Sequence, residues 1–231
     1  MVVRFGLRFS LLLALATFCA CKPNSDPVPD NKPDPDPVFE EVDLGLSVKW
    51  ASCNLGASSP SEAGTFVAWG ELQEKFDFSW ENYLYSAGTP NSITKYCTNG
   101  NFGQKDDLAT LSVEDDAARV AMGGGWRLPT DAEWDEVVKA CRWVAGTVDS
   151  VPGYIVTSKI PGFTSASIFL PFAGYAEDCF YYNIGSTGYY WSSSLVETTP
   201  SAAYCLSMGS SGHEWEQTPR YMGCLVRPVH E

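Results

Sequence analysis

The chain has 231 residues, 45% of them hydrophobic and 13% aromatic, and its 28 acidic against 15 basic residues give a formal charge of −13. That apolar content excludes a disordered chain, and an acidic balance excludes phosphate-backbone ligands, so no nucleic-acid partner is expected. Length allows one domain with a sizeable core.

Residues 1–20 carry Arg4 and Arg8, an apolar run over 9–18 and small residues before Cys21, the pattern of a secretory signal. The run is too short to span about 30 Å of hydrocarbon, and no other apolar stretch of about 20 residues follows. The string Leu15-Ala16-Thr17-Phe18-Cys19-Ala20-Cys21 resembles a bacterial lipobox, with Phe18 in place of the usual aliphatic residue. Cys21 is the expected lipid attachment, and Cys19 is the alternative acceptor. Residues 21–38 then form a tether with Pro23, Pro27, Pro29, Pro33, Pro35 and Pro37 among acidic residues. Such a segment favours polyproline II and reaches up to about 50 Å. The expected location is the outer membrane, facing the exterior, with membrane contact through the anchor only.

The domain is 39–231. Strand-like runs are expected at 46–53 and 65–69. A helix follows, with Ser112 as N-cap, Asp115 three residues on, and Gly123-Gly124-Gly125 as its stop. A second helix opens on a Thr130 and Glu133 capping box, with Trp134, Val137, Val138 and Cys141 on one stripe. Further strands are expected at 168–175, 189–194, 202–208 and 224–229, which makes the fold class α+β.

Six cysteines remain in the domain: Cys53, Cys97, Cys141, Cys179, Cys205 and Cys224. An exported protein favours disulfides, and Cys205 and Cys224 are expected to face each other across adjacent strands about 4.8 Å apart. Six buried thiols is the other reading. With only His213 and His230, a nucleophile-base pair or a multi-histidine metal site is poorly supplied. Pairs such as Asp106-Asp107 and Asp115-Asp116 read as solvated residues rather than acid-base catalysts.

Six ordered motifs carry a resemblance: 42–51 (VDLGLSVKWA), 68–71 (AWGE), 126–134 (WRLPTDAEW), 167–175 (SIFLPFAGY), 188–194 (GYYWSSS) and 226–229 (VRPV). Together they resemble the major paralogous lipoprotein family of Bacteroidetes and Fibrobacter, which is similar in fold to C-type lectin-like domains and formylglycine-generating enzymes. The resemblance implies a C-type lectin-like fold with two helices packed on short, mostly antiparallel strands. It does not imply activity. The enzymes bind copper through a closely spaced cysteine pair in an Arg-Gly-Gly-Ser-Trp context, which this chain lacks. Calcium-binding lectins use Glu-Pro-Asn or Gln-Pro-Asp and Trp-Asn-Asp, whereas Trp191 here precedes Ser192-Ser193-Ser194. No enzyme activity, metal or cofactor is therefore expected.

What remains is a calcium-independent binding module for a protein or glycan outside the cell. The segment 180–222 is dense in Tyr, Ser, Asn, Trp and Gly, the residue set of paratopes. Candidate ligand contacts are Tyr181, Tyr182, Asn183, Tyr189, Glu197, Ser207, His213, Glu214, Trp215, Glu216, Arg220 and Tyr221. Residues 210–221 are expected as a polar loop, with Trp215 and Tyr221 as exposed anchors. Some lectin-like members are diversified by retroelements in this same stretch, which the resemblance carries as an implication. The alternatives are a structural or adhesin-tip subunit of a surface assembly and, third, an enzyme related to the formylglycine-generating ones.

Overall fold

A computed structural model describes residues 40–231, so the signal, Cys21 and the tether lie outside the described residues. The elements run β1 (Glu41–Val42), β2 (Lys49–Ala51), α1 (Ala117–Met122), β3 (Trp126–Arg127), α2 (Asp131–Ala140), β4 (Cys141–Val148) and β5 (Val151–Ser158). After these come β6 (Ser167–Pro171), β7 (Tyr175–Glu177), β8 (Phe180–Tyr182), β9 (Thr187–Leu195), β10 (Ala202–Gly209), β11 (Gly212–Pro219) and β12 (Val229–His230). They pair as four small sheets, in the orders β1-β2-β12-β3, β4-β5-β6, β7-β8 and β11-β10-β9. The fold is α+β and strand-rich.

Alternation along β9 and β10 sends residues to two hydrophobic clusters on opposite faces of one sheet. Tyr190, Leu206 and Met208 join Trp50, Trp134 and Val229 in the larger cluster, while Trp191, Ala203 and Cys205 join Trp69, Tyr96 and Val226 in the other. Both clusters are stitched by indole donors. Trp69 Nε1 donates to the Ser192 carbonyl at 2.9 Å, Trp191 Nε1 to the Val67 carbonyl at 2.8 Å, and Trp134 Nε1 to the Trp191 carbonyl at 3.2 Å.

The expected capping box is present. Thr130 Oγ1 accepts from the Glu133 amide, and Glu133 Oε2 accepts from the Thr130 amide. Arg127 adds a two-pronged pair to Glu133 at 2.6 and 2.8 Å. Burial would raise the Glu133 pKa, but Arg127 and the Thr130 amide outweigh it and hold the carboxyl below its ordinary value. The RLPT-x-AEW string is therefore a helix-start device.

A chain with long connections leaves many buried carbonyls to satisfy, and two arginines do so. Arg227 is fully buried and donates to the carbonyls of Ala51, Ser52 and Phe169 and to Asn54 Oδ1. Burial lowers its pKa to about 10, which keeps it charged at neutral pH. Arg220 is likewise buried and donates to Tyr83 Oη and to the carbonyls of Lys95, Tyr96 and Pro200.

Several expectations are corrected. The first helix begins later, because Asp116 rather than Ser112 caps it: Asp116 Oδ1 accepts from the Arg119 amide at 2.9 Å, and 113–115 form a 3₁₀ turn. The run at 65–69 pairs only through a single bridge, Val67 to Cys224. Residues 168–175 split into β6 and β7 because Gly174, at φ +78°, bends the chain. The expected polar loop 210–221 is mostly strand β11, hydrogen-bonded along its length to β10. Strands β4 and β5 were not anticipated.

The disulfide part of the cysteine expectation fails, whereas the Cys205 and Cys224 thiols do face each other. All six are unbridged, five buried and Cys179 exposed. Cys205 pairs with Trp191 on β9, and the chain after Cys224 runs along the far side of β9, where Trp191 N donates to Leu225 O. The two backbones thus flank β9 rather than pairing with each other, yet the two thiols lie within hydrogen-bonding reach of one another without being bridged. Burial pushes the Cys224 thiol well up, and the Cys205 thiol beside it adds to the effect.

Candidate functional site

One face of the β9-β10-β11 sheet is only partly covered. Its cross-strand rows are Thr187, Gly209, Gly212, then Tyr189, Ser207, Glu214, then Trp191, Cys205, Glu216. The last row runs under the second cluster through Trp191 and Cys205. The first two rows, with Glu216 and parts of Met208, Ser211 and His213, line an open cavity of about 270 Å³ beside the turn between β10 and β11.

The wall continues through aromatics from the β7-β8 hairpin. The Tyr175 ring meets Tyr189 edge-on at 4.9 Å and stacks on Tyr182 at 5.4 Å, and Tyr182 meets Phe180 at 6.4 Å. Gly174 makes this approach feasible, since a Cβ there would sit 1.9 Å from the Tyr182 carbonyl oxygen, while its amide donates to the Thr187 carbonyl at 2.7 Å. Phe180, on β8, and Ile184, just after it, are 64% and 67% exposed and add apolar surface to this hairpin.

Electrostatics at the groove are one-sided. Glu214 is exposed and Glu216 half-buried, and no Lys or Arg lines the cavity. Burial, with Glu216 nearby, pushes the Tyr189 phenol up to about 12, so it stays a hydrogen-bond donor at neutral pH. Burial lowers the His213 pKa, which keeps that imidazole neutral. Thr187 Oγ1 is buried without a protein partner, and the Ser207 hydroxyl makes only a long 3.4 Å bond to the Glu214 carbonyl.

The sequence candidates divide accordingly. Tyr182, Tyr189, Ser207, Glu214 and Glu216 come together at the groove and its aromatic wall. His213 and Trp215 alternate to the opposite face: the Trp143 and His213 rings lie 4.4 Å apart, and Trp215 Nε1 donates to Asp135 Oδ1 of α2 at 2.9 Å. Trp215 is half-buried against the larger cluster rather than an exposed anchor. Tyr221 is also half-buried, donating to Glu177 Oε1 at 2.6 Å with its ring 5.0 Å from Trp80. Arg220 has no exposed surface, so direct ligand contact is closed to it. Tyr181 points the other way from Tyr182 and donates to Glu74 Oε1 at 2.7 Å. Asn183 is exposed in the turn after β8, at φ +58°. Glu197 lies in the connection between β9 and β10, at the far end of that hairpin from Thr187.

Sequence reading missed Thr187 and Tyr175. The signal for Tyr175 was its place directly after Gly174, where a chain reversal aims the next side chain at the sheet. No family model, curated protein or solved structure matches this chain.

Proposed function

We propose that the chain is an envelope lipoprotein, anchored through Cys21, whose lectin-like domain binds a macromolecular ligand at the groove over Tyr189, Ser207, Glu214 and Glu216. The observation that carries this reading is an open cavity where Glu214 and Glu216 have no ion pair among the described residues, continued by the tyrosines of the β7-β8 hairpin. Binding sites have that composition: a few oriented polar groups set among aromatic surface. Neither catalysis nor calcium enters the proposal. Among the described residues no group of three or more His, Cys, Asp or Glu converges, and no helix is long and apolar enough to cross a membrane.

The second reading, a subunit of a surface assembly, draws on the outer edge of β11, which pairs on one side only among the described residues. That edge carries Glu214 and Glu216 and ends at Pro219, features that discourage strand addition.

The test is a glycan and protein array probed with the full chain and with its Tyr189→Ala and Tyr182→Ala variants. Signals lost in both variants but kept in Glu81→Gln, an exposed position outside the groove, support the proposal. Signals indifferent to Tyr189 and Tyr182 overturn it. Separately, Cys21→Ser is expected to abolish palmitate incorporation, and a labelled variant still in the detergent phase refutes the anchor.

A further inference from the structure

We infer that the groove takes a cationic side chain, arginine or lysine, presented by a protein ligand. This rests on the reading of the groove as the binding face and gives that face its chemistry.

The first support is a contrast among carboxylates. Several other acids have internal partners: Glu71 pairs with Lys75, Asp115 with Lys95 and Glu133 with Arg127, buried Asp116 and exposed Asp106 accept from backbone amides, and half-buried Glu177 accepts from the Tyr221 hydroxyl. Glu216 is half-buried, and among the described residues it has no ion pair and no hydrogen-bond donor to its carboxylate. Glu214, two residues along the same strand face, also lacks an ion pair. A cation entering the cavity gives these carboxylates the charged partner that the fold does not supply.

Aromatic surface is the second support. Tyr189 lines the cavity with Tyr175 and Tyr182 packed behind it, which brings aromatic surface beside those carboxylates. The protein uses the same chemistry internally, where the Arg220 guanidinium lies 4.8 Å from the Trp69 ring and 5.2 Å from the Tyr83 ring. At the groove no internal cation fills that place, and the neutral His213 does not compete.

A protein ligand is favoured over a free amine by what adjoins the cavity. Phe180, Tyr182 and Ile184 extend apolar surface beyond the 270 Å³ pocket, which a small cation leaves uncovered and the flanking residues of a peptide cover.

Calorimetric titration of the full chain with acetyl-Leu-Arg-Leu-amide and its citrulline counterpart tests the inference, since citrulline keeps the shape and removes the charge. The arginine peptide is expected to bind wild type and Glu81→Gln equally, and the Glu214→Gln, Glu216→Gln double variant at least tenfold more weakly. The citrulline peptide is expected to bind at least tenfold more weakly throughout. Equal binding of the two peptides, full retention by the double variant, or no binding of the arginine peptide overturns the inference. Any of these alongside an array signal that depends on Tyr189 and Tyr182 removes the charge preference and leaves the groove reading standing. Without such a signal both fall.

Discussion

The two faces of β11 carry alternate residues of one eight-residue strand, yet they are built for different purposes. On the face toward α2, Trp215 hydrogen-bonds Asp135 and His213 packs on Trp143, so side chains are bound into the fold. On the other face Glu214 and Glu216 project beside Tyr189 without an internal counter-ion. The two carboxylates thus lack the internal partners that the side chains of the opposite face have, which is the contrast the proposed binding function rests on.

Substitutions sharpen the contrast, and the largest effect belongs to Arg220. Arg220→Ala strands the acceptors on Lys95, Tyr96, Pro200 and Tyr83, and is expected to cost on the order of 4 kcal/mol or more in denaturant unfolding. Arg220→Lys should rescue little, because an ammonium cannot span the fork. A loss under about 1 kcal/mol would mean that the loops re-satisfy themselves.

Next is Trp215→Ala, expected to cost roughly 2 to 3 kcal/mol, below the ~3–5 of a fully buried tryptophan. Unchanged stability combined with lost array binding would place Trp215 on the ligand face after all. Thr130→Ala removes one half of the capping box, for an expected loss of about 1 kcal/mol by thermal melt. No change would detach the RLPT-x-AEW string from the helix start.

Acid titration probes the same internal network. Glu133 and Asp115 have pKa values below the ordinary 4.5 and 3.8 despite burial, through Arg127 and Lys95 respectively, and backbone amides hold exposed Asp106 below 3.8 as well. A depressed folded-state pKa means that the stability each contributes is present above its unfolded pKa and is lost as pH falls through the folded one. Melting temperature is therefore expected to hold at pH 5 and above and to fall progressively below about pH 4.5, with Glu133→Gln showing a shallower fall. An identical slope in wild type and Glu133→Gln would contradict the role given to the Arg127 pair.

How much was legible in the sequence follows the same division. The capping box at Thr130 and Glu133 was readable because it is local, four residues long and chemically specific. Strands β9 and β10 were readable from their apolar runs. β11 was not, since Gly212-His213-Glu214-Trp215-Glu216-Gln217 alternates half-buried aromatics with carboxylates and looks polar when read linearly; only pairing with β10 separates its faces. Arg220 and Tyr221 were misplaced for a related reason: a charge near aromatics reads as surface, whereas here it serves buried carbonyls from distant loops. The backbones of Cys205 and Cys224 could not be placed without knowing that β9 lies between them. Of the strings that carry the resemblance, AWGE, WSSS and VRPV lie largely in the core and specify scaffold, whereas Tyr175 and Tyr189 of the groove fall within two of the six motifs and Ser207, Glu214 and Glu216 fall outside all of them.

The most direct test is thermal melting of the full chain carrying Glu214→Gln and Glu216→Gln together. If these carboxylates serve a ligand rather than the fold, removing two unpaired like charges should leave the melting temperature unchanged or raise it by up to about 2 °C. A fall of more than about 4 °C, corresponding to a loss of about 1 kcal/mol or more, would show that they stabilise the domain and would contradict the division of β11 into a structural and a binding face.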